Sequence, residues 1–175
     1  RLAKKLGRFI MLIAFWQVQR LTREINDLEK RAMDVRTRLS NHQKYASVLG
    51  GSSILTLGNL AGLSASILPR ASIFAQYSDQ ASSMSAMQNL QMMKMMGRVP
   101  LTGNPMMQMQ LEMSAFNQFK QESLKALKQQ EITQMNEVEK EIQLELNSVE
   151  QLLKQKEKQL QTYKDLASKQ AEDMA

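Results

Sequence analysis

Residues 11–49 read MLIAFWQVQRLTREINDLEKRAMDVRTRLSNHQKYASVL, and the spacing inside this stretch decides the fold. From Met11 the apolar positions advance by three and four: Ala14, Val18, Leu21, Ile25, Leu28, Ala32, Val35, Leu39, then His42, Ala46 and Leu49. A helix turns once in ~3.6 residues, so these side chains line one side of it. Five heptads hold register with His42 as the only polar member, which predicts a coiled-coil helix over about residues 3–49. Glu24, Glu29, Arg31, Arg36 and Arg38 flank the seam, as heptad edges do. Asp27 and Asp34 each precede an arginine by one turn, in the acid-first order that adds about 0.2–0.5 kcal/mol per pair. Gly50-Gly51 closes the segment, because glycine reaches the left-handed conformation common at helix ends.

Upstream of the seam, Arg1, Lys4, Lys5 and Arg8 precede an apolar run, Phe9 to Trp16, containing Phe9, Ile10, Leu12, Ile13, Phe15 and Trp16. The run resembles the head of a signal peptide, yet no small-residue cleavage site follows and it passes directly into charged helix. It is also shorter than the ~20 residues a membrane span needs. Being apolar around the whole helical circumference, it predicts a surface covered by a neighbouring subunit or by a membrane interface.

Downstream, Tyr45–Pro69 carries no charge and is rich in Gly, Ala, Ser and Leu/Ile, with a small-xxx-small pair at Gly58 and Gly62. Ser52 or Ser53 is placed to cap a short helix over about 53–68, and Pro69 to stop it or to open the next. The five serines, Thr56, Asn59 and the glycine break favour a buried helix over a membrane span. A third helix is predicted over about 70–96, followed by a turn region from Gly97 to Gly103. Asn104 is a good N-cap and Pro105 suits the first helical position, where its missing N–H costs nothing. Beyond Pro105 neither Gly nor Pro interrupts the chain, so a helix over about 105–173 is predicted, roughly 100 Å long if straight. Its stripe runs Met135, Val138, Ile142, Leu146, Val149, Leu153, Leu160, Tyr163, Ala167. A four-four step at Ile142–Leu146 acts as a stutter, and Lys156 lies in the seam. Leu144, Leu152 and Leu166 lie off the stripe and widen it. The expected organisation is thus all-α: an N-terminal coiled-coil helix (1–49), an uncharged and Met-rich helical middle (50–103) and a long C-terminal helix (104–175).

The net charge of +6 is unevenly spread: residues 1–44 hold eleven basic and four acidic side chains, and residues 131–150 hold six acidic and one basic. Two helical faces of opposite sign are expected to attract each other, within one chain or between copies. A nucleic-acid binder would interleave aromatics with its basic patch, and this chain does not. There is no Cys, hence no disulfide framework, a composition that fits a cytoplasmic or an extracytoplasmic site equally.

No constellation for catalysis stands out. His42, the only histidine, sits on the seam, where a polar residue more often sets register than binds a metal. Ten of the fourteen methionines fall between Met84 and Met113, among them Met92, Met93, Met95, Met96, Met106, Met107 and Met109. Thioethers can hold Cu(I), but no Cys or His is near in sequence to complete a site, so plastic packing against a partner is the expected role. No cofactor, metal or small-molecule substrate is expected. The leading expectation is a non-enzymatic structural subunit of a large multiprotein assembly, of the secretion, appendage or virion type, with partners that include copies of itself. A membrane-active or membrane-anchored helical component, such as a translocator, is the first alternative; a Met-rich chaperone-like peptide-binding module is the second.

Overall fold

The computed structural model describes residues 2–51 and 57–174. The all-α expectation holds: α1 spans Leu2–Gly50, α2 Leu57–Leu60, α3 Leu68–Met95 and α4 Pro105–Met174, with no strand among the described residues.

Local chemistry explains the ends. Asn104 Oδ1 accepts the Met106 N–H at 3.0 Å, satisfying one of the donors left open at the start of α4, and Pro105 occupies the first helical position. At the end of α3, Gly97 adopts φ +67, the only positive φ among the described residues. The Arg98 N–H then reaches Met93 O and the Gly97 N–H reaches Lys94 O, the paired bonds of a Schellman motif. Pro69 opens α3 and does not close the helix before it. α1 does end at Gly50, although Gly50 keeps a right-handed conformation.

The segment expected to be one helix over 53–68 differs. Its described part has a single short helix, α2, followed by turns over 61–67. Gly62 weakens a helix by about 1 kcal/mol. Here Ser64 O accepts both the Ile67 and Leu68 N–H groups, and Ser66 Oγ meets Ser64 Oγ at 2.9 Å and Asn41 Nδ2 at 3.3 Å. Leu60, Leu63 and Ile67 all reach the core from this segment. The proposed caps Ser52 and Ser53 lie outside the described residues.

The chain forms two compact units, one of Arg1–Leu39 with Lys140–Ala175, the other of Ser40–Glu139. In the first, α1 and α4 pack antiparallel: Glu24 pairs with Lys156 and Arg38 with Glu145. Ala14, Leu21, Ile25, Ala32 and Val35 are buried from α1, and Ile142, Leu146 and Val149 from α4. Full burial of each aliphatic side chain stabilises by about 1.5–3 kcal/mol, which makes this seam the main source of cohesion in the unit.

The second unit has a rounder core of Tyr45, Leu49, Leu60, Leu63, Ile67, Ala71, Phe74 and Met135. Beyond that core, α3 buries small side chains at helical spacing, Ser78, Ser82 and Ala86. Each serine hydroxyl is satisfied locally, Ser78 by Ala75 O and Ser82 by Asp79 O, so their burial leaves no donor unmet. Lys94–Glu112 and Asp79–Lys120 link α3 antiparallel to the first part of α4.

Candidate functional site

The helix-pairing residues come first, because they determine what surface remains. Leu21, Ile25, Val35, Ile142, Leu146 and Val149 are buried, and Val18, Leu28, Leu39, Leu153 and Leu160 are half-buried, all in the first unit. Met135 is fully buried in the second unit, with Val138 packed against the same core. The stripes read from the spacing are therefore the faces that the two long helices turn inward within their units.

Charge follows the same division. Arg31 and Arg38 both bond to Glu145, at 3.2 and 2.7 Å, and Arg36 reaches Glu150 at 2.7 Å. The arginine partners, Arg38 above Arg31, hold the Glu145 carboxyl below its ordinary value. Asp34 keeps its same-helix contact with Arg38, at 3.6 Å, whereas Arg31 turns to Glu145 and away from Asp27. Lys156, the cation in the seam, is neutralised by Glu24 at 2.7 Å; Lys156 and then Arg20 lower the Glu24 carboxyl. Arg20 also lies over the Trp16 ring, 5.8 Å from its centroid, an attraction of about 0.5–1 kcal/mol at an exposed site.

The second unit contains a polar network that the spacing did not reveal. The carboxylate of Glu131 is 9% accessible and receives Arg70 Nε at 2.8 Å, Arg70 Nη2 at 3.2 Å and the Tyr45 hydroxyl at 3.2 Å. Arg70 also donates to Gln134 Oε1 at 3.3 Å. Its bond to Glu131 raises the Arg70 guanidinium above its ordinary value. Burial, followed by the Glu131 charge, pushes the Tyr45 phenol well above the tyrosine range. An open groove of about 670 Å³ runs beside this network, lined by Ser66, Pro69, Ile73, Phe74 and Tyr77 among others. Arg70 and Glu131 line it too, but each already holds the other's charge, so the arrangement orders the core and offers no unspent acid or base.

Two apolar faces are left outward. In the first unit, Phe9, Leu12, Ile13, Phe15 and Trp16 are exposed, and Ile10 is half-buried. In the second, Met92, Met95, Met96, Met106, Met107 and Met109 are exposed around the α3–α4 turn, Met95 to 83%, while Met93 is half-buried. Met84, Met87, Leu101 and Met113 extend this surface. Lys94 is held there by Glu112, whose carboxyl Lys94 lowers, with help from Gln108. Among the described residues, no three His, Cys, Asp or Glu side chains form a metal cluster. Among them, too, no helix is long and apolar enough to cross a membrane.

No protein-family profile, curated protein or solved structure matches this chain.

Proposed function

We propose that this chain is a non-enzymatic structural subunit of a larger multiprotein assembly, of the secretion, appendage or virion type. Its long helices pair by coiled-coil contacts and its methionine surface receives a partner subunit. The observation that carries this reading is the exposed apolar surface at the α3–α4 turn, with Met92, Met95, Met96, Met106, Met107 and Met109 all open to solvent. Monomeric soluble proteins rarely leave contiguous apolar patches beyond a few hundred Å², and larger ones mark interaction sites. Methionine suits a partner surface in particular, since its unbranched thioether adapts to the shape it meets. The coiled-coil part of the reading is supported by the regular inward stripe of α1, by the ion pairs along its edges, and by a lysine-glutamate pair at the one charged seam position.

Light scattering across a range of protein concentrations, combined with binding of a hydrophobic dye, tests the proposal. Association beyond a single chain, or dye binding that Met95→Ser with Met106→Ser removes, is expected. A chain that stays monomeric at every concentration and binds no dye would overturn it.

A further inference from the structure

α1 carries a second stripe that its pairing with α4 leaves unused. Leu2, Leu6, Phe9, Ile13 and Trp16 follow one another by steps of four, three, four and three, and all five are exposed. At ~1.5 Å per residue the stripe runs along about 21 Å of helix. Arg20 and Arg23 occupy the next positions of the same pattern, so the apolar stripe ends there. Lys5 and Arg8 flank it together with exposed Leu12, and Lys4 and exposed Phe15 lie further round the same side.

Charge identifies what this surface fits. The first acidic residue of the chain is Glu24, and six basic residues precede it. The acidic groups of α4 that face α1 in this unit are engaged further along, Glu145 by Arg31 and Arg38, Glu150 by Arg36. Among the described residues, Lys4, Lys5 and Arg8 make no ion pair. The end of α4 in the same unit offers Asp165, Glu172 and Asp173 against Lys164 and Lys169, close to neutral. A second copy docking parallel by the same stripe would set Lys4, Lys5 and Arg8 against their own counterparts.

We infer that the exposed stripe Leu2–Trp16 docks this protein on an anionic lipid surface, lying in the plane of the interface. An interfacial helix of this kind sinks its apolar side about 5–10 Å into the headgroup boundary. Its flanking lysines keep their ammonium groups at the phosphates while their stems cover apolar surface. The Trp16 ring favours that depth, where one side is apolar and the other wet, and Phe9 lies on the apolar side. The inference stands apart from the partner surface proposed above, which lies in the other unit.

Trp16 is the only tryptophan of the chain, and it sits in the stripe 57% exposed, so its fluorescence reports the docking directly. The full chain is mixed with phosphatidylcholine vesicles with and without phosphatidylglycerol, and flotation and Trp16 emission are measured. Co-flotation and a blue shift are expected with the anionic vesicles alone. Replacing Lys4, Lys5 and Arg8 together by Gln should weaken partition roughly a hundredfold. Phe9→Ser with Ile13→Ser should remove the blue shift while leaving far-UV ellipticity unchanged, both residues being exposed. An emission spectrum indifferent to vesicles overturns the inference, as does equal binding to neutral and anionic lipid. A blue shift that grows with protein concentration without lipid, alongside a doubled mass, assigns the stripe to a second copy and overturns it too.

Discussion

Replacing Arg70 by Ala removes both guanidinium bonds to Glu131 and leaves a carboxylate that is 9% accessible facing the core of the second unit. Breaking a sealed ion pair from one side costs about 3–5 kcal/mol, because the remaining charge stays desolvated. Two features reduce that figure here. The Arg70 side chain is 41% accessible, so water enters where it stood, and the Tyr45 hydroxyl retains its bond. The expected loss is therefore about 2 kcal/mol, near that of one hydrogen bond to a charged group. Urea unfolding followed by far-UV ellipticity measures it, with the comparison made at unchanged m-value. Glu131→Gln and the double variant complete a cycle, in which the double variant should be less damaged than the two singles together predict, by about 1.5 kcal/mol. If Arg70→Ala falls within about 0.5 kcal/mol of the parent and the coupling vanishes, the pair is a solvated surface contact and the network does not order the core.

Further outcomes follow from the same physics. Leu146→Ala should cost about 2–5 kcal/mol, whereas Leu144→Ala, two residues away and exposed, should stay within about 0.5 kcal/mol; equal effects in urea unfolding would dissolve the seam. The Glu145 carboxyl is held below its ordinary value in the folded state by Arg38 and Arg31, so its contribution is complete above the unfolded value of about 4.3 and lost as pH falls through the lower folded value. Urea midpoints should thus drop on acidification below that range, and drop less in Glu145→Gln. Tyr45 runs the opposite way: its phenol is raised by burial and by Glu131, so stability present below pH about 10 is lost above it, a loss that Tyr45→Phe should not show. Gly97→Ala should cost about 1–2 kcal/mol by thermal or urea unfolding, because φ +67 is strained for any residue with a Cβ.

The two long helices and their inward faces were legible because the pattern is local: three-four spacing, a glycine stop, an Asn-Pro start. The opposite signs of the two helices also pointed correctly to mutual attraction, realised in Arg31, Arg36 and Arg38 against Glu145 and Glu150. What escaped the sequence is what depends on a third element. Near its end, α1 buries Tyr45 fully and Ala46 only in part, since Leu60, Leu63, Ile67 and Phe74 build a core on a second side of the helix. Arg70 and Glu131 lie 61 residues apart, with no periodicity to join them. The segment over 53–68 reads as one helix from its cap candidates and apolar residues, but Gly62 weakens a continuous helix, and the turns over 61–67 still bring Leu63 and Ile67 to the core beside Leu60. The exposed faces were easier to read, because an apolar run with no internal complement has few places to go.

The first unit is assembled from the two ends of the sequence, and that has a consequence for the order of events at the ribosome. Its α1 half, up to Leu39, is made first, but its α4 half begins only at Lys140, with the whole contiguous second unit in between. At ~5–20 residues per second, the nascent seam from Ala14 to Val35 waits about 5–20 s for Ile142, Leu146 and Val149 to emerge. During that interval the inward stripe is as bare as the outward one. Synthesis of this protein therefore includes a window in which the apolar side of α1 has no α4 to pair with.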